Sequence, residues 1–232
     1  MRGTMQAAVN GVAVGATLGG AAAALYHFGL RSWHLCWGAT DAEVALTLPG
    51  DGLVADAMLV STRAITIHAP IADVWPWLVQ MGEGRGGFYS YTWLENMAGC
   101  RMENADHVLP EHQHREVGDT IWLARWWNER FGYPSYLEVA VVDPGRSLVL
   151  RSPEAPRSGD DFSCAFVLQE EGPQTTRLIV RSRSVWGQGP GRWLLGRVMG
   201  EPAHFVMERA MMLGIKERAE AAALRQQVIR ER

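Results

Sequence analysis

Lysine is nearly absent from this sequence, and basic residues as a whole are outnumbered by acidic ones. The chain of 232 residues has 22 lysine and arginine residues, of which only Lys216 is a lysine, against 25 aspartate and glutamate residues. The formal net charge is −3. Nucleic-acid-binding domains usually carry a basic excess concentrated on one face. The composition therefore predicts no DNA or RNA partner, and an apolar fraction of 47% predicts a globular domain with a substantial core.

Cysteine is also scarce, and its spacing matches no disulfide or metal motif. Cys36, Cys100 and Cys164 lie far apart, with no C-x-x-C pair and no even number from which to build a disulfide framework. We interpret them as small buried hydrophobic residues. Potential metal ligands crowd one polar loop without a matching second set, so we predict no metal site there; they are His107, Glu111, His112, His114 and Glu116.

The glycine spacing of a nucleotide-binding loop is present, but its structural context is missing. Residues 82–87 read GEGRGG, which satisfies G-x-G-x-x-G. A dinucleotide fingerprint needs a strand that enters the glycine turn and a helix that leaves it toward the phosphates. Here a helical pattern precedes the glycines, aromatic residues follow them, and no Walker lysine is present. We therefore predict no cofactor, and interpret the glycines as a helix stop and a loop whose backbone closely approaches another segment.

Charged residues are missing from the N-terminal segment 7–30, which is long enough as a helix to span a bilayer. We predict an uncleaved membrane anchor, so that the protein is localised to a membrane. A cleaved signal peptide followed by secretion is the alternative. Gly11, Gly15 and Gly19 would line one face of such a helix, which gives a hypothesis of homodimerisation through small residues.

The remaining periodicity predicts an α+β fold. A strand at 62–69 is followed by a helix with apolar residues at Ile71, Val74, Leu78 and Met81. About five antiparallel strands and a long C-terminal helix come next. The expected organisation is a hydrophobic segment at 1–34, a linker at 35–61 and a domain at 62–228. The strand face carrying Arg177, Arg181 and Arg183 is expected to face solvent.

Aromatic side chains are concentrated after the glycines, in FYSYTWLENMAG at 88–99, and need an apolar environment. We weigh two interpretations, a lid that seals the core and the wall of an apolar pocket. Glu95 lies within this segment and would have a raised pKa if buried, although a surface position is the simpler expectation.

Several runs resemble the START-like or SRPBCC superfamily, the polyketide cyclase and lipid-transfer group, in its membrane-tethered bacterial form. They span about residues 35–222 and include WGATDAEV, TRAITIHAPIADVWPWLVQMGEGRGGFYSYTWLENMAG, NADHVLPE, VGDTI and EPAHFVMERAMMLGIKERAE. The resemblance implies a helix-grip fold, in which a curved antiparallel sheet wraps around the C-terminal helix and encloses an apolar cavity. No single catalytic motif of the superfamily can be carried onto this sequence.

Three functions follow from these observations. The first is binding or transfer of a hydrophobic small molecule or lipid, with a cavity lined by Trp77, Phe88, Tyr89, Tyr91, Trp93, Trp122, Phe205, Met207 and Met211. The second is an enzyme of the cyclase or dehydratase kind, in which the proton donor or acceptor would be Tyr89, Tyr91, Glu95 or His204. The third is a membrane-anchored scaffold without a ligand.

Overall fold

The computed structural model describes residues 26–153, 160–185 and 189–230. Its framework is one antiparallel sheet of six strands in the order β1-β6-β5-β4-β3-β2. The strands are β1 (Leu59–Ile67), β2 (Thr120–Trp122), β3 (Tyr136–Asp143), β4 (Ser147–Arg151), β5 (Asp161–Gly172) and β6 (Thr175–Val185). The predicted hairpin between β3 and β4 is present, and Gly145 has the positive φ that a type II turn requires at its third position.

Helices precede, interrupt and follow this sheet. A π-helical turn (Tyr26–Leu30) leads into α1, and a second one (Gly196–Gly200) leads into α7. The α-helices are α1 (Arg31–Leu35), α2 (Asp41–Ala45), α3 (Ile71–Val79), α4 (Thr92–Met97), α5 (Arg125–Phe131), α6 (Pro190–Leu195) and α7 (Glu201–Arg230). The six-stranded antiparallel sheet with a long C-terminal helix is the α+β, helix-grip arrangement that was predicted.

The main core lies between α3, α7 and the inner face of the sheet. Leu78 from α3 and Met212 and Ile215 from α7 are fully buried together with the strand residues Leu148 and Leu178. Burial of apolar side chains of this size stabilises the fold by about 1.5 to 3 kcal/mol each. The apolar positions of α7 recur at helical spacing, so that one side of the helix packs against the sheet over several turns.

The outer face of the sheet is covered, which corrects the expectation of a solvated arginine face. Residues 38–55, part of the predicted linker, form a strap across it that contains α2. Arg181 is only 4% exposed and contacts Asp51 at 2.9 Å, while its Nη2 atom donates to the carbonyl oxygens of two residues of the strap. Arg177 pairs with Glu43 at 2.6 Å, and Arg183 donates to the carbonyl oxygen of Val54. Strand periodicity correctly placed these arginines on one face but could not show what covers that face.

Glu43 connects this strap to the sheet electrostatically. Hydrogen bonding to Arg177 lowers the pKa of the Glu43 carboxyl from 4.5 to about 2, and the side chain also completes a capping box with Thr40. A carboxyl with a depressed folded pKa stabilises the protein above its unfolded pKa, and that stability is lost as the pH falls toward the folded pKa. For this partly exposed pair we expect about 1 to 2 kcal/mol.

The free energy of unfolding should therefore fall between about pH 4.5 and pH 2. Glu43→Gln should be less stable at neutral pH and should lose less stability over that acid interval. Urea unfolding of both proteins across the pH range measures this difference. Parallel pH profiles for the two proteins would show that this carboxyl does not couple the strap to the sheet.

The predicted membrane anchor and the glycines of the proposed dimer face fall mostly or wholly within residues 1–25, outside the described residues. In the part of the chain that the structure describes, no helix is both long enough and apolar enough to cross a membrane. Tyr26 and Arg31, where that segment joins the domain, both contact the buried carboxylate of Glu201.

Candidate functional site

The glycine-rich loop connects α3 to the aromatic segment. Gly82 and Gly87 form an isolated antiparallel bridge immediately after α3, so the predicted order of helix then glycine turn is confirmed. The close approach inferred from the sequence occurs at Gly87, where an added Cβ would overlap the carbonyl oxygen of Glu103. The aromatic segment that follows packs against the C-terminal helix, because the carbonyl oxygen of Tyr89 lies where Gly214 of α7 has no side chain.

Tyr89 is the anchor of this segment. It has a positive φ of 58°, its hydroxyl donates to the carbonyl oxygen of Trp77 at 2.9 Å, and its ring meets the Trp77 ring edge to face. The side chain of Asn104 accepts from the Tyr89 N–H and donates to the carbonyl oxygen of Ser90, so Asn104 orders this loop through side chain to backbone bonds. The backbone of Phe88 and Ser90 is therefore held in place from both sides of Tyr89.

A cavity of about 230 Å³ lies between this segment, the inner face of the sheet and the first half of α7. Its wall is mostly apolar, with a few polar groups. It is lined by Phe88, Ser90, Glu95, Leu123, Leu137, Leu150, Phe162, Cys164, Phe166, His204, Met207, Glu208 and Met211. Three of the predicted lining residues, Phe88, Met207 and Met211, meet here.

The structure places the other six predicted lining residues elsewhere. Trp77 and Tyr89 are buried in the main core, and Trp77 also borders a second, more polar cleft beside α7. Tyr91 and Trp93 are exposed, by 42% and 63% respectively. The aromatic segment therefore serves partly as a core seal and only partly as a cavity wall.

Trp122 and Phe205 complete this set, and each packs against other aromatic groups. Trp122 contacts the ring of Tyr136 and lies beneath the guanidinium of Arg125. Phe205 meets Trp33 and His34 of α1 on the side of α7 that faces the N-terminal helix.

The inner face of the sheet provides the lining residues that the sequence reasoning missed. Phe162, Cys164 and Phe166 alternate along β5 and share one face of the strand, and this face closes the cavity. That alternation was the available signal. It could not be used without knowing which face of β5 meets α7.

Glu95 on α4 is buried, in contrast to the expected surface position. Glu95 is only 9% exposed, and its Oε2 atom has no hydrogen-bond partner. Burial raises the pKa of this carboxyl. The neutral acid is therefore favoured over the carboxylate relative to a carboxyl in water.

Glu208 occupies a different environment on the same cavity wall. One oxygen contacts Arg63 at 2.5 Å, the other accepts from Ser182 at 2.8 Å and lies 3.4 Å from the ring of His204. Arg63 in turn donates to the carbonyl oxygen of His34. Both side chains are almost inaccessible to water, and each charge is balanced by the other and by further hydrogen bonds. The ion pair therefore supports the cavity wall without leaving an unpaired buried charge.

His204 and Cys164 add two neutral groups. Burial lowers the pKa of His204, which makes its imidazole a neutral donor and acceptor at pH 7. Burial raises the pKa of the Cys164 thiol, so this group is not a thiolate nucleophile. None of the described residues that line the cavity is a lysine or an arginine.

The histidine-rich loop lies away from this cavity and on the surface. His107 pairs with Asp106, and His114 pairs with Glu116. Over residues 26–153, 160–185 and 189–230, no cluster of three or more histidine, cysteine, aspartate or glutamate side chains is arranged to hold a metal ion.

The chain thus presents a helix-grip α+β domain with an apolar cavity between sheet and C-terminal helix. No protein-family model and no curated protein matches the sequence. Among solved structures, a conserved protein from Geobacillus kaustophilus matches with 13% identity and a TM-score of 0.41, over 71% of this chain and 97% of its own.

Two further structures are similar to comparable extents. A point mutant of norcoclaurine synthase from Thalictrum matches with 12% identity and a TM-score of 0.38, over 69% of this chain and 93% of its own. The di-domain ARO/CYC protein BexL matches with 15% identity and a TM-score of 0.38, over 70% of this chain and 47% of its own.

Proposed function

We propose that this protein binds a hydrophobic small molecule in the cavity between the sheet and α7. The observation that carries the proposal is the cavity itself, which has an apolar wall with a few polar groups on elements held in place by the core. Its volume of about 230 Å³ lies below the range of about 300 to 1,000 Å³ typical of small-molecule sites. We therefore favour a ligand with one short chain or one or two rings over a two-chain lipid.

Burial of apolar surface would drive binding. A ligand that buries about 200 Å² of apolar surface gains about 5 kcal/mol at about 25 cal/mol per Å². Loss of translational and rotational freedom offsets much of this gain. Useful affinity therefore requires additional contacts with the polar groups on the wall. Met207 and Met211 provide flexible, polarisable surfaces that adapt to the shape of the ligand.

Filling the cavity tests this function. Met207→Trp should weaken binding of an apolar ligand at least tenfold, because the larger ring occupies the space between α7 and the sheet. Val206→Trp is the matched control, because Val206 is the neighbouring residue on α7, is 43% exposed and does not line the cavity. The control should bind as the unmodified protein does.

The measurement is native mass spectrometry of detergent-free protein for a co-purifying apolar molecule, followed by calorimetric titration with that molecule or with n-octanol. Circular dichroism verifies that each variant is folded. Equal binding by unmodified protein and folded Met207→Trp would contradict the cavity as the binding site. Absence of any apolar ligand would favour the ligand-free scaffold, the third function predicted from the sequence.

An enzyme of the cyclase or dehydratase kind is the second candidate, and Glu95 favours it. A neutral carboxyl in an apolar wall is suited to donate a proton, and the neutral imidazole of His204 is suited to accept one. The phenol groups are less suited, because Tyr89 donates to Trp77 and Tyr91 is exposed. Turnover of a bound ligand that survives Glu95→Gln and His204→Asn would exclude these two residues as the acid and base.

The N-terminal membrane anchor and the glycine-mediated dimer remain proposals based on sequence. Segment 7–30 has no charged residue. Its residue Tyr26 donates to the carbonyl oxygen of Arg197, and the apolar side chains of Leu194, Leu195 and Met199 near that contact are exposed. Failure of the full-length protein to float with liposomes would contradict the anchor.

A further inference from the structure

Glu95 is the one carboxylate on the cavity wall that the described residues leave uncompensated. Glu208 has Arg63, Ser182 and His204 around it, whereas the Oε2 atom of Glu95 has no partner. A buried polar atom in a native protein is normally hydrogen-bonded, so an orphaned one at a cavity indicates a group that a ligand would supply.

The charges on the wall restrict what that group can be. The described lining residues include Glu95 and Glu208 and no lysine or arginine, and the Arg63 guanidinium beneath the wall is already paired with Glu208. An anionic head group such as a carboxylate or phosphate would therefore find no unpaired cation among the described lining residues. A cation would supply the missing partner.

The apolar part of the wall also suits a cation. Phe88, Phe162 and Phe166 contribute three phenylalanine rings to the lining. The face of an aromatic ring attracts an ammonium group, and apolar surroundings strengthen this attraction. The remaining polar groups, the Ser90 hydroxyl and the neutral His204 ring, can each accept a hydrogen bond from an ammonium N–H.

We propose that the ligand is an apolar amine whose ammonium group binds at Glu95 while its hydrocarbon part fills the cavity toward Met207 and Met211. This inference rests on the proposed function and specifies the ligand class. Burial raises the pKa of Glu95 in the free protein, and a bound ammonium favours the carboxylate, so binding of the amine lowers that pKa. Amine affinity should therefore increase as the pH rises through the Glu95 pKa, and decrease above about pH 10 as the amine itself is deprotonated.

Three ligands of one chain length test the inference by calorimetric titration of the full-length protein. These are n-octylamine, n-octanol and octanoate. We expect octylamine to bind at least tenfold more tightly than octanol near neutral pH, and octanoate to bind most weakly. In Glu95→Gln the octylamine affinity should fall at least tenfold, to the level of octanol, and its dependence on acid pH should disappear. Octanol binding should change little.

Glu111→Gln is the matched control, because Glu111 is exposed on a short 3-10 helix (Pro110–His112) and does not line the cavity. It should bind all three ligands as the unmodified protein does. Octanol or octanoate binding as tightly as octylamine would overturn the amine assignment while leaving an apolar-ligand function in place. Binding of octylamine that persists in Glu95→Gln but not in Met207→Trp would overturn the role of Glu95. Absence of binding by all three ligands would overturn both the assignment and the proposed cavity function.

Discussion

Glu208→Ala should lower the free energy of unfolding by about 3 to 5 kcal/mol, the cost expected when one partner of a buried ion pair is removed. The side chains of Arg63 and Glu208 are 1% and 3% exposed, so loss of the carboxylate leaves a buried guanidinium without its counterion. Arg63 would keep its bond to the carbonyl oxygen of His34, and Ser182 would lose its acceptor. Urea unfolding followed by circular dichroism measures the change.

A double replacement separates the charge effect from the packing effect. Arg63→Met with Glu208→Leu removes both charges and keeps apolar volume, so its stability should return to within about 1 kcal/mol of the unmodified protein. Glu217→Ala is the surface control on the same helix and should change stability by less than about 0.5 kcal/mol. If the double variant is as unstable as Glu208→Ala, the destabilisation arises from lost shape or hydrogen bonds and not from an unpaired charge.

Gly214→Ala should destabilise the protein by about 2 to 3 kcal/mol, although a glycine in a helix interior ordinarily gains about 0.5 to 1 kcal/mol when replaced by alanine. The sign is reversed because the new Cβ would overlap the carbonyl oxygen and Cβ of Tyr89. That segment cannot easily withdraw, because Tyr89 is bound to Trp77 and Asn104. The aromatic segment and α7 would therefore have to separate.

Gly191→Ala provides the comparison, because Gly191 lies in α6 and a Cβ there would meet no atom within 4 Å. Its melting temperature should be unchanged or slightly raised. Thermal unfolding of both variants measures the contrast. A melting temperature for Gly214→Ala at or above that of the unmodified protein would show that the aromatic segment moves away from α7 at little cost.

The order of elements predicted the fold well because strands and helices of this kind have distinct periodicities. The strand before α3, the hairpin at Gly145 and the long α7 all appear. The short helix α5 was not predicted, because its seven residues make only about two turns, over which helix and strand patterns look alike. Apolar pattern alone cannot distinguish these states over so few residues.

The site was less predictable for a geometric reason. Phe88, Met207 and Met211 line the cavity, whereas Trp77 and Tyr89 fill the core beneath it. Sequence can identify an aromatic segment that needs burial, but the direction of each side chain depends on the positive φ at Tyr89 and its contact with Gly214. The burial of Glu95 depends on the same tertiary contacts.

The strap formed by residues 38–55 supplies the counterions of the outer sheet face. The arginines of β6 pair with its carboxylates, Glu43 and Asp51, and donate to its backbone oxygens. Without these partners the arginines would form a basic stripe across the outer face of the sheet. A chain lacking this strap would therefore present guanidinium groups in a row, the kind of surface that attracts phosphate backbones. The acidic strap thus neutralises these arginines locally, so that the near balance of acidic and basic residues in the composition is also a pairing in space.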